Sequence, residues 1–137
     1  MKLKLTTCKL DEIEYFLSIT LLGVIEGILS KKISIDEAER IFFSPAIAAN
    51  LEELGIDYSI TKSIWLGTEL EDVYSLIPEK LNESLLEIKH ILLSKISSYE
   101  FNLYNYLIDE MNINLKSKSY QIIAPLPENG DITLDDE

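Results

Sequence analysis

Bases are scarce in this chain. Twelve lysines and arginines face twenty-four aspartates and glutamates, a net charge of −12. Five of the acids (Glu128, Asp131, Asp135, Asp136 and Glu137) lie in the last ten residues, which hold no base. That leaves nineteen acids against twelve bases, a net −7, over residues 1–127. The tail adds to the acidity without creating it. An anionic surface repels phosphate and the anionic leaflet of a membrane. Nucleic acid and membrane are therefore excluded as direct ligands on charge. A basic protein partner, or plain solubility, is the natural counterpart.

Reactive side chains are equally few. Cys8 is the single cysteine and cannot form an internal disulfide, which suits a reducing cytoplasm. Leu5-Thr6-Thr7-Cys8 has the outline of a lipoprotein cleavage box but lacks the apolar segment that should precede it. Lys2 and Lys4 are followed by no signal-type apolar run before Asp11, so no export is expected. The longest uncharged stretch, residues 15–25, is about half of the roughly twenty residues a membrane span needs. Asn82-Glu83-Ser84 spells a glycosylation sequon that has no use without secretion.

His90 is the only histidine, with Glu83, Glu87 and Ser94 at helical distances from it. Metal and acid–base sites usually need a second His, a Cys or converging carboxylates. The sequence contains no glycine-rich phosphate loop, no cysteine pair at zinc spacing and no nucleophile elbow. No catalytic residue, metal ligand or cofactor is assigned.

What the chain does have is helical periodicity. It is 137 residues long and 47% hydrophobic, enough for one domain with a real core. Leu10, Ile13, Leu17, Leu21, Val24 and Ile28 recur at three- and four-residue steps, which predicts a helix from about residue 10 to 29. Phe16, Ile19, Leu22, Ile25 and Leu29 add a second apolar strip. A helix apolar on more than one side is expected to have neighbours on more than one side. Asp11 or the residue before it should cap it, and Lys31 and Lys32 suit the negative end of its dipole. Gly23 and Gly27, four apart, should let a neighbouring helix approach closely.

Short capped helices should follow. Ser34-Ile35-Asp36-Glu37 is a capping box that opens a helix to about Phe43. Ser44-Pro45 opens the next, because proline is tolerated at the first helical position. Ala46, Ile47, Ala49, Leu51 and Leu54 should line it, and Gly55 should end it in the left-handed conformation. Asp57 should cap a helix over about Tyr58 to Leu66, stopped by Gly67. Thr68 to Glu71 repeats the box before a helix over Glu69 to Leu76.

After Ile77-Pro78, a long helix is expected from about Glu79 to Ser97, with Leu81, Leu85, Ile88, Leu92 and Ile96 as its stripe. Residues 99–111 read as helix rather than strand, because Asp109-Glu110 suits a strand interior poorly. Tyr99, Phe101, Tyr104 and Tyr106 lack interleaved bases, so they suit packing or a homo-oligomer interface rather than nucleic-acid stacking. Residues 120–124 read as a short strand or ordered arm, and 125–137 as an acidic flexible tail. The expected fold is a single all-α domain over residues 1–124. It is a multi-helix bundle with two long central helices.

The segment Leu66-Gly67-Thr68-Glu69-Leu70-Glu71-Asp72 places three acids just after Trp65, the only tryptophan. Acids at a helix start are explained by the dipole alone. Their functional reading is a negative knob beside a large aromatic, shaped to grip an Arg- or Lys-bearing partner. Trp65, Glu69, Glu71 and Asp72 are therefore the candidate partner-binding residues. The helix-turn-helix outline of residues 34–76 fails on charge, since its would-be recognition helix offers one Lys and no Arg.

The stretches Ile33-Ser34-Ile35-Asp36-Glu37-Ala38-Glu39-Arg40-Ile41-Phe42-Phe43-Ser44-Pro45, Leu66-Gly67-Thr68-Glu69-Leu70-Glu71-Asp72-Val73 and Ser75-Leu76-Ile77-Pro78 resemble a family of small uncharacterised bacterial proteins of unknown function. The resemblance spans about residues 10–97. It implies a bacterial, cytoplasmic protein and carries over no site residue. In size and charge the chain is also similar to immunity proteins that neutralise cationic toxins. The favoured expectation is a non-catalytic protein-interaction module, with an immunity-type inhibitor as its sharper form. The alternatives are an inter-helix pocket for a small ligand or substrate, built from Tyr, Glu and His90, and an oligomeric structural module.

Overall fold

Six α-helices follow one another along the chain in the computed structural model of the protein, which describes residues 9–99. They are α1 (Leu10–Leu29), α2 (Ile35–Ile41), α3 (Pro45–Glu53), α4 (Tyr58–Gly67), α5 (Leu70–Leu76) and α6 (Leu81–Ile96). A single 3-10 turn, Pro78–Lys80, joins α5 to α6. There is no strand among the described residues, so the fold is all-α. The expectations for residues 100–111, 120–124 and 125–137 lie outside the described residues.

α1 and α6 form the central pair and run antiparallel. Glu26, near the end of α1, is ion-paired with Lys89 in the middle of α6. Glu14, near the start of α1, meets Tyr99 just beyond the end of α6. Ile13, Leu17, Leu21, Val24, Ile25 and Ile28 of α1 are buried against Leu85, Ile88 and Leu92 of α6 and the shorter helices. Fully burying one such side chain contributes about 1.5–3 kcal/mol relative to leaving it exposed.

The second apolar strip of α1 is only partly covered. Ile25 is buried, Phe16, Leu22 and Leu29 are half-buried, and Ile19 is exposed. Leu10, at the open end of the first strip, is exposed as well. α1 thus has neighbours on one broad side, not all round.

Local capping fixes the shorter helices. Ser34 accepts from the Glu37 N–H at 3.0 Å and Ser44 from the Ile47 N–H at 3.2 Å. Asp57 accepts from the Ser59 N–H at 2.8 Å. Each satisfies a donor that a helix start leaves unpaired. Gly55 ends α3 with φ 83°, the left-handed value expected of it.

Other local expectations give way. α1 begins at Lys9 without a side-chain cap, and Asp11 instead accepts from the adjacent Glu12 N–H at 3.0 Å. Thr68 closes α4 by donating to the Trp65 carbonyl at 2.6 Å, and α5 starts at Glu69 without a side-chain cap. On α3 the buried residues are Ile47, Ala48 and Leu51, whereas Ala46, Ala49 and Leu54 face water.

The close approach expected at Gly23 and Gly27 lies elsewhere. A methyl on Gly23 would meet nothing within 4 Å. At Gly27 it would strike Ile33, from the turn just after α1, not another helix. The tight contact between elements is at Gly67, where a methyl would collide with the buried Phe43 ring. Gly67 is the last residue of α4, and its bare backbone makes room for that ring.

Candidate functional site

The four candidate residues separate in space. Trp65, at 37% exposure, donates its indole N–H to Glu52 Oε1 at 2.7 Å, which ties the ring to α3. Glu69 precedes α5, while Glu71 and Asp72 lie exposed in its first turn. The polar partner of the tryptophan is therefore Glu52, not the acids that follow it in sequence.

Those acids face α2. Glu39, half-buried on α2, has its carboxyl raised above the usual range. Burial contributes most. The charge of Glu71 and a hydrogen bond between the two carboxyls come next, then the charges of Asp36 and Asp72. Two like-charged groups this close cannot both ionise cheaply. The base nearby in sequence, Arg40, is paired with Asp36 at 2.9 Å.

The sequence reading assigned Asp36, Glu37 and Glu39 to helix capping and missed their meeting with Glu71. A signal was present. Glu39 follows the fully buried Ala38 and Glu71 follows the fully buried Leu70, so both acids border the seam where α2 meets α5.

A second polar assembly lies where the start of α4 meets the end of α6. The Asp57 side chain accepts from the Ser59 N–H and is paired with Lys95 Nζ at 3.3 Å. Burial pushes the Asp57 carboxyl up, but the Ser59 and Lys95 hydrogen bonds outweigh it and hold the group below the ordinary carboxylate range. The Asp57 N–H donates to Glu14 Oε2 at 2.6 Å, and the Tyr99 hydroxyl donates to Glu14 Oε1 at 3.2 Å.

Lys95 lies 5.0 Å from the Tyr99 ring centre, and Tyr99 meets Tyr15 edge-on at 5.6 Å. Burial and the Glu14 charge push the Tyr99 phenol up, so it stays protonated as a donor. Glu14 was read from the sequence only as one of the acids at a helix start. Its role as the buried hub could not be seen, because its partners come from distant parts of the chain.

Beside this assembly runs an open cleft of about 410 Å³, bordered by Asp57, Ser59, His90, Ile91, Lys95 and the serines 94 and 98. Its Asp57–Lys95 pair is already engaged in holding α4 to α6. What remains is the exposed His90 imidazole among serine hydroxyls, a polar surface rather than a nucleophile with its base. Among the described residues, no group of three His, Cys, Asp or Glu is placed to hold a metal ion. No helix among them is long and apolar enough to cross a membrane.

Residues 8–109, most of the chain, match the model of a family described as "Protein of unknown function (DUF3969)". No curated protein matches the chain, and no solved structure does.

Proposed function

The chain belongs to that family of unknown function, and on this premise we propose that it is a non-catalytic interaction protein whose acidic α2–α5 face receives a basic partner protein. The observation that carries this reading is the pairing of Glu39 with Glu71 across two helices, with Asp36 and Asp72 pressing on the same point. That arrangement costs the isolated protein free energy. A Lys or Arg from a partner would relieve it and gain from every acid around it. The whole-chain charge of −12 would also steer a cationic partner toward the protein.

An immunity-type inhibitor of a cationic toxin is the sharpest form of this role. A bacterial cytoplasm is its proposed setting, supported by the single cysteine. In the binding set, Glu71 and Asp72 are the primary contacts, Glu69 and Trp65 the flanking ones.

Pull-down from native lysate at low and high salt tests the reading. Wild-type protein should retain a basic partner at low salt and release it at high salt. The double variant Glu71→Gln/Asp72→Asn should retain much less. Failure to hold any basic partner at either salt would remove the proposal.

The cleft beside His90 supports a second reading, a small polar ligand held among Ser59, Ser94 and His90. Ligand-induced amide shifts confined to α6 residues 90–98 would favour it over the first.

A further inference from the structure

The rim of the acidic face carries apolar side chains that the fold does not use. Leu76 is 79% exposed, Tyr74 59% and Ile77 45%, while Leu70 is the one buried residue of α5. We propose that Tyr74, Leu76 and Ile77 form a docking ridge for a basic amphipathic helix of a partner protein, with Glu71 and Asp72 taking its cations. This rests on the acidic-face reading above and specifies the kind of partner that face takes.

The spacing along α5 gives the ridge its pattern. Asp72 and Leu76 are four apart and Glu71 and Tyr74 three apart, so each acid shares a row with an apolar side chain about one turn further on. A helix that presents aliphatic residues flanked by Lys or Arg on one face matches both parts of each row. Leucine left this open to water contributes little to the fold and gains most from a partner that covers it.

Charge selects the occupant. Glu71, Asp72 and Glu79 border the apolar residues, and Lys80, the adjacent base, is engaged with Glu83 at 3.3 Å. An anionic membrane is repelled by such a rim. A second copy of this chain, itself at −12, brings like charge to the same place.

The test uses two synthetic helical peptides of about fifteen residues, a Leu/Lys sequence with one leucine face and its Ser/Lys counterpart of equal charge. Each is titrated into the full-length 15N-labelled protein. The Leu/Lys peptide should shift amides centred on residues 71–77 and bind about tenfold more tightly than the Ser/Lys peptide. The Leu76→Ser variant should lose most of that advantage without lowering the thermal midpoint, because the side chain is exposed. Equal affinity for both peptides, with binding still weakened by Glu71→Gln/Asp72→Asn, would overturn the ridge and leave the acidic face standing. Shifts centred on α1 or α6 would overturn the ridge as well. Binding of neither peptide would count against both.

Discussion

Glu14 and Asp57 are joined side chain to backbone across 43 residues, with Glu14 Oε2 accepting the Asp57 N–H at 2.6 Å. The bond ties the second turn of α1 to the residue that caps α4. Glu14 is only 8% exposed, and its other oxygen accepts the Tyr99 hydroxyl. Replacing it with Ala strands two donors in a largely dry site, which costs about 2–4 kcal/mol. Glu14→Gln keeps one carbonyl oxygen and should cost about half as much. Urea denaturation of both variants checks this. An alanine variant within about 0.5 kcal/mol of wild type would show that the hub is dispensable.

Two carboxyls should make stability depend on pH in opposite senses. Glu39 holds its proton more tightly when folded, so its contribution turns unfavourable as pH rises from the ordinary Glu range through its folded value. Glu39→Gln should therefore be more stable than wild type at pH 7, by less than about 1 kcal/mol because the site is open to water. The difference should vanish below about pH 4. Asp57 holds its proton less tightly when folded, so its contribution is present above the ordinary Asp range and lost as pH falls through its lower folded value. Asp57→Asn should flatten that acid-side loss. Denaturation midpoints from pH 2.5 to 7 separate the two. A wild type more stable than Glu39→Gln at pH 7 would contradict the Glu39–Glu71 pairing.

Two glycines should respond oppositely to the same change. Gly23→Ala meets open space and should stabilise α1 by up to about 1 kcal/mol, since alanine is the better helix former. Gly67→Ala drives a methyl into the Phe43 ring and should cost about 1–3 kcal/mol from overpacking, despite the same helical preference. Thermal melts of the two variants read the contrast directly. Similar shifts for both would mean that the ring at Gly67 yields easily.

Much of the helix pattern was legible because it is local. Apolar spacing marked α1 and α6, and Ser34, Ser44 and Asp57 marked three helix starts, since a cap and its N–H lie within three residues. The seeming box at Thr68–Glu71 misled because the same threonine can close the preceding helix, and spacing alone does not say which end it serves. Trp65 beside Glu69, Glu71 and Asp72 in sequence misled in the same way. Tertiary packing turned the indole to Glu52 and the acids to Glu39.

By itself, then, the sequence determined the helices, their order and the sign of the surface, all of which follow from composition and contacts within one or two turns. Only the tertiary structure decided which side of α1 is covered, where a glycine is indispensable, and that Glu14, Asp57, Lys95 and Tyr99 form one assembly. The physical reason is range. Capping and periodicity act over a few residues, whereas the meeting of two carboxyls or the seating of a ring depends on how whole helices cross.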